Sequence, residues 1–570
     1  WFTATAFLHS VHVQERRGML RVWNVSLVIV TFLLTIVGTF LTRSGVVQSI
    51  HAFGSDPMLA RYFIAFMVTT IVFCFGWVIY RLPLLKGRHE LDSWMSKEAA
   101  FLANNWILLF SALFILFATL FPTITEAING ERLTVGPPFF NRWMVPIGLM
   151  LLFLTGVGPL MAWRKSTIAN LTGQFMWPVT AAVVTGAVLV ALGVRVWSSG
   201  ICFALSAFVA GTLSQEFLRG GNVRRGMTGT DIVTAIIGLV SRNKRRYGGY
   251  IVHAGVVLIF LGFAGEGFSR DQQLLLKPGE EATVGDYVIH LDAIRVTDDG
   301  QKQMITGHVS VKNASGEVID QMRPAKWYFR KHEEEPTTEV AIRRTFAEDL
   351  YIVMAAFSLE DQTASVEVHI NPLVNWVWFG FGILAIGTGI ALLPEASMSF
   401  ALARVPAEAV TATILLLSLL LPAGTAFAQH VETGQDPRLQ LTSPESREVA
   451  HKLACWCGGC SKLPVGQCSC GHCAIERGKI DTMLKEGQSP SQIVDFYVSQ
   501  LGTQILSEPP NSGSGRVAWA MPVVAGIGGF LTVAYFALRW SKRPQLAAAP
   551  AGAEDPALAA RLDDELRDLD

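Results

Sequence analysis

The chain has 570 residues, of which 51% are hydrophobic and 16% charged, against roughly 25% charged in a soluble globular protein. Its formal net charge is +0. This leaves no basic surplus for nucleic acid, and the apolar excess excludes an ordinary soluble protein. The expected fold class is mainly α: a polytopic α-helical membrane protein with a small external β-domain and a C-terminal three-helix, Cys-rich external module.

The chain starts at Trp1 inside a helical run, WFTATAFLHSVHVQERR, and reads as a fragment lacking its N-terminal portion. Apolar stretches long enough to span a bilayer follow at 23–42, 62–81, 99–122, 143–163, 177–197, 199–218, 248–268, 373–393, 408–428 and 516–538. Arg16, Arg17, Arg21, Lys86, Arg88, Arg164, Lys165, the run from Arg219 to Arg246, Arg404, Arg539, Lys542 and Arg543 all fall on one side. That side is the cytoplasm, because Lys and Arg accumulate there. Residues 1–268 are therefore a helix bundle, 269–372 an external β-rich domain, 373–393 a helix, 429–515 an external helical module and 516–538 a last helix. A cytoplasmic tail at 539–570, rich in Ala, Pro and acids, has the composition of a disordered segment.

Segment 269–372 holds YVIHLDAIRV, GHVSVKN, GEVIDQM, DLYIVMAAF and ASVEVHI, short Val/Ile-rich runs separated by Asp-Asp-Gly and Asn-Ala-Ser-Gly turns. These predict an antiparallel sandwich or barrel. Segment 408–428 ends in Ala426-Phe427-Ala428 and has the layout of a signal peptide in mid-chain, as if two proteins were fused; it is either cleaved after Ala428 or kept as a helix. In 429–515, Ser443-Pro444 and the capping box Ser489-Pro490-Ser491-Gln492 open helices on either side of a cysteine cluster.

Two groups of residues carry chemistry. His253 lies in the apolar run YGGYIVHAGVVLIFLGFAGEGF, seven residues past Arg246, and His9 lies seven residues before Arg16. At about 1.5 Å per residue both imidazoles sit roughly 10 Å from the same cytoplasmic edge. A buried imidazole at that depth needs a partner. The choices are an interhelical hydrogen bond or a haem b iron held from both sides. The second group is CWCGGCSKLPVGQCSCGHC, with Cys455, Cys457, Cys460, Cys468, Cys470 and Cys473. Three chemistries suit it: a dithiol exchanging with another protein's thiols, structural disulfides, or a zinc or iron–sulfur site. Cys74 and Cys202, alone in apolar helices, read as packing residues. His51 lies in the external loop LTRSGVVQSIHAFGSDP, either as a solvated side chain or as a ligand to haem presented from outside.

LLTIVGTFLTRSGVVQSIHAFGSDP, LANNWILLFSALFILFATLFPT, VGPPFFNRWMVPIGLMLLFLTGVGP and PTTEVAIRRTFAEDLYIVM together resemble the cytochrome c maturation haem lyase family CcmF, with its NrfE relatives, over about 1–395. The resemblance implies a protein of the bacterial inner membrane that takes haem from the periplasmic chaperone CcmE and helps attach it to the CxxCH thiols of apocytochrome c. It would act with other maturation subunits and with a quinol as a candidate reductant. His9 and His253 fall at the family's axial ligand positions for a resident haem b, and His51 at an external ligand of the delivered, transient haem. Residues 408–540 are similar to the thiol-handling CcmH family, through GQSPSQIVDFYVSQLGTQILSEPP. They depart from it where Leu453-Ala454-Cys455 replaces Leu-Arg-Cys and Gly458 stands for the second cysteine, so the exchanging pair is assigned to Cys457 and Cys460. The family's tryptophan-rich external loop and second external histidine are absent and would precede Trp1. The rival readings are a haem or solute transporter with a metal-binding module, and a non-catalytic assembly scaffold.

Overall fold

The computed structural model describes residues 1–46, 57–85, 91, 93–163, 168–330, 332–393, 443–457, 462–468 and 471–541. Segment 408–428, the tail beyond 541, and His51, Cys460 and Cys470 lie outside the described residues. The bundle contains α1 Phe2–Arg17, α2 Arg21–Arg43, α3 Pro57–Tyr80, α4 Leu82–Leu85, α5 Lys97–Asn129, α6 Pro137–Leu160, α7 Ile168–Ala191, α8 Trp197–Thr228, α9 Ile232–Arg242 and α10 Lys244–Ala264. Among the described residues, nine helices are long and apolar enough to cross a membrane.

One element departs from expectation. The basic stretch 219–246, read from sequence as a connection, is almost wholly helical. The helix α8 runs on to Thr228, and α9 forms because Asp231 accepts hydrogen bonds from the N–H groups of Val233 and Thr234. Ile232, Ile236 and Leu239 of α9 then pack over Gly220 and Gly221 of α8. With 11 residues α9 is too short to span a bilayer.

The external domain is a sandwich of two antiparallel sheets. Ten strands make it up: β1 Arg270–Leu276, β2 Glu281–Val284, β3 Tyr287–Asp298, β4 Lys302–Lys312, β5 Val318–Met322, β6 Ala325–Phe329, β7 His332–Glu339, β8 Ala341–Arg344, β9 Glu348–Ser358 and β10 Thr363–Pro372. One sheet has the order β1-β10-β9-β8, the other β2-β3-β4-β6-β7 with β5 also on β4. Alternation along β3 buries Tyr287, Ile289 and Leu291, which meet Leu350, Ile352 and Met354 of β9 and Val366 and Val368 of β10.

The sandwich is an insertion between two neighbouring helices, α10 and α11 Val374–Leu392. A side chain at Gly255 would place its Cβ 2.6 Å from the Gly380 carbonyl, and one at Gly387 would lie 2.7 Å from the Val252 nitrogen. These helices therefore touch backbone to backbone, as small residues permit in a membrane. Beyond the bilayer the same pairing continues as the β1/β10 ladder, with Arg270 opposite Ile370.

On β10 the imidazole of His369 bonds Asp271 at 2.8 Å and lies 3.7 Å from Glu367. Burial alone would lower its pKa, but the hydrogen bonds and charges of Asp271 and Glu367 outweigh that and hold it up to about 9. The folded value exceeds the ordinary 6.5. The ion cluster therefore stabilises the domain fully below pH 6.5 and stops doing so as pH rises through about 9. Thermal unfolding of wild type and His369→Gln should differ at pH 6 and converge near pH 10; a gap independent of pH would refute the charge-based origin.

Candidate functional site: a buried histidine pair and a docked cysteine module

His9 and His253 meet inside the bundle. Helix α10 presents its glycine seam to α11, and at about 100° per residue His253 lies some 200° round from Gly255. It therefore projects from the opposite face, towards α1. Helix α1 is held by polar contacts to three neighbouring helices. Ser10 donates to Asn24 of α2, whose amide donates to Gln14 at 2.7 Å. Arg17 pairs with the buried Glu98 of α5 at 3.1 Å. Arg245 of α10 reaches Glu15 of α1 at 3.6 Å. The result is that the rings of His9 and His253 lie 6.3 Å apart, centre to centre, and within 11° of parallel.

The two imidazoles differ in their hydrogen bonding. His9 Nδ1 is 2.8 Å from the Thr5 carbonyl, which only accepts, so Nδ1 carries the proton and Nε2 keeps its lone pair. His253 Nδ1 is buried and has no hydrogen-bond partner among the described residues. Two metal–imidazole bonds of about 2 Å each, with the short nitrogen-to-centre distance on either side, add up to a ring separation of this size. Phe101 (5.8 Å from His9) and Trp163 (6.2 Å from Phe101) wall the site, and Arg16 and Lys97 lie over the Trp163 ring. Sequence reasoning did not single out Trp163, or Glu216 of α8, although an acid in an apolar span is a readable signal. Glu216 binds Arg246 at 2.9 Å and accepts from Tyr250 at 3.2 Å, so part of the basic run is neutralised inside the protein.

The cysteine module consists of α12 Pro444–Lys452, α13 Gly471–Lys485 and α14 Pro490–Leu501, followed by α15 Gly515–Ser541. Ser443 and Ser489 each form a capping box. Tyr497 donates to the buried Glu476 at 2.7 Å; burial and that bond push its phenol pKa up. Cys455, Cys468 and Cys473 are buried, whereas Cys457 is exposed.

This module docks on the external connection between α5 and α6. The Gly136 N–H donates to the Ser507 carbonyl at 2.9 Å and the Thr134 hydroxyl to the Gln504 carbonyl at 2.7 Å. Trp519 of α15 lies 4.9 Å from both the Phe139 ring and the Arg142 guanidinium. Burial and the nearby Arg132 charge hold the Lys462 ammonium below its usual pKa, with Glu126 opposing. The same part of α5 holds the base of the His51 loop, because Thr123 donates to the Val46 carbonyl at 3.0 Å. A Cβ at Gly136 would lie 2.7 Å from the Ser507 oxygen. Gly136→Val should therefore loosen the dock and speed tryptic cleavage at Arg516 about tenfold, the effect of losing about 1.4 kcal/mol; an unchanged rate would show that this contact does not hold the module.

A bundle with a buried histidine pair, an external sandwich between two of its helices and a docked cysteine module defines a multi-pass membrane protein. Residues 267–372 match the family described as the CcmF C-terminal beta-sandwich, and residues 414–565 match CcmH, a cytochrome c biogenesis protein. The cytochrome c-type biogenesis protein CcmF of Pseudomonas aeruginosa is 31% identical over 69% of this chain and 58% of its own. CycK of Bradyrhizobium diazoefficiens is 30% identical over the same shares. The solved structure of a cytochrome c heme lyase CcmF shares the fold with a TM-score of 0.55 and 24% identity, over 69% of this chain and 58% of that one. The chain is thus similar to the CcmF proteins over 69% of its length, and a segment matching CcmH follows in the same polypeptide. The chain spans about 58% of the length of these relatives.

Proposed function

We propose that the chain is a haem lyase component that joins haem to the CxxCH thiols of apocytochrome c, with its own thiol-handling module. The parallel histidine pair, with 6.3 Å between ring centres, carries this reading. His9 and His253 would be the axial ligands of a resident haem b, which when bound supplies one-electron exchange within the membrane. The bond from His9 to Thr5 fixes its tautomer, and the packing of α10 against α11 fixes the position of His253.

The delivered haem is the substrate, passed from a periplasmic chaperone of the CcmE kind and received at the external loop that bears His51. Cys457 and Cys460 act on the other substrate. Their two thiols reduce the disulfide of an apocytochrome CxxCH segment through a mixed disulfide, becoming a disulfide themselves and releasing two substrate thiols. Each substrate thiol then adds across a vinyl group, forming one S–C and one C–H bond with no leaving group. The dock on the α5–α6 connection supports this division of labour, since it brings the thiol module to the segment that anchors the His51 loop. The reading is tested by holocytochrome c formation in the host bacterium, comparing the native locus with His9→Ala and with the Cys457/Cys460 double variant. Normal yield in both would defeat it.

A further inference from the structure

We propose that Cys455, Cys468 and Cys473 form a thiolate site for one zinc ion inside the cysteine module, apart from the exchanging thiols and independent of the lyase reading. Their sulfurs all lie within 4.8 Å of one another, and their residues are 3%, 0% and 0% exposed. Zinc–sulfur bonds of about 2.3 Å place two tetrahedral ligands roughly 3.8 Å apart, so side-chain movements of about 1 Å or less close the site.

The three cysteines come from separate segments that the backbone locks in place. Cys455 follows α12 and is fixed by its N–H to the Leu463 carbonyl at 2.8 Å. Cys468 ends a turn whose N–H bonds the Pro464 carbonyl at 2.9 Å. Cys473 sits in the first turn of α13, where the helix N-terminus favours a thiolate.

The charge balance also suits a metal. Three thiolates on a divalent ion leave one net negative charge, and a buried cation stands beside them. Arg477, 5% exposed, donates through Nη1 to the Cys468 carbonyl at 2.7 Å and to the Val465 carbonyl at 3.0 Å. A disulfide would use two of three mutually adjacent sulfurs and leave the third beside it, whereas zinc takes all three and a fourth donor. Soft thiolates with no redox requirement select zinc over harder divalent ions. Cys457 lies outside the cluster and stays exposed. On this assignment the module divides its cysteines: one set holds the fold, and the other meets the substrate.

The test is elemental analysis of the full chain purified in detergent without added metal. The expected result is about one zinc per chain, lost in Cys473→Ser and retained in Cys457→Ser. Replacement by Co²⁺ should give thiolate-to-cobalt charge-transfer bands. Should Cys473→Ser fail to fold, the wild type still decides. With the chain denatured in chelator and no reductant, peptides bearing Cys455, Cys468 and Cys473 should all alkylate. Absence of zinc, or a disulfide joining any two of these three in the mapped peptides, would overturn the proposal.

Discussion

Replacing either His9 or His253 by alanine is expected to abolish the b-type α-band in reduced-minus-oxidised spectra of the purified protein and to reduce holocytochrome formation to background. The effect is large because each imidazole would supply one of two axial bonds. Perturbing groups that merely orient a metal ligand costs about 10–100-fold, so losing the ligand itself costs more. A finer test separates ligation from packing. His253→Met keeps an axial donor and should retain the haem with a raised potential, since a thioether in place of imidazole favours the reduced iron. An α-band that persists at full intensity in both alanine variants would remove the haem b assignment. The 6.3 Å pairing would then be a structural contact between helices.

Converting both Cys457 and Cys460 to serine should have the opposite signature: an unaltered haem spectrum with holocytochrome lost. On the proposed reading the membrane pair would hold the resident haem, whereas the thiol pair would meet the apocytochrome. Added dithiothreitol should restore part of the yield, because an external dithiol can reduce the apocytochrome disulfide in their place. Loss of zinc from this variant would instead mean that Cys457 or Cys460 is a ligand of the neighbouring site.

Much of the architecture is readable from residue order. The spans follow from hydropathy, and the strands Tyr287–Asp298 and Glu348–Ser358 from Val/Ile-rich runs between turns. Equal distances from Arg16 and Arg246 put His9 and His253 at one depth. Depth alone does not fix their adjacency, which the family resemblance implies, because depth says nothing about rotation. That is set by the glycine seam of α10, which chooses the face turned to α11 and so the face left for His253. The helix α9 escaped notice because its cue is one capping aspartate within a basic run, which topology rules treat as a loop. The short strands β2 and β8 carry too few residues for alternation to stand out. The clustering of Cys455, Cys468 and Cys473 depends on how three segments cross, which spacing along the chain does not fix.

The continuity between the α10–α11 pair and the β1/β10 ladder bears on how this protein can evolve. Helix gives way to strand within a few residues on both sides, Ala264 to Arg270 going out and Pro372 to Val374 coming back. There is no slack at either junction. A single inserted residue would turn α10 by about 100° relative to the sheet, or exchange the inner and outer faces of β1. Insertions and deletions among homologues should therefore collect in the distal hairpins of the sandwich, such as 299–301 and 313–317, and avoid both junctions. The external domain is fixed to the histidine-bearing helix by register, and length there is as constrained as any side chain in the site.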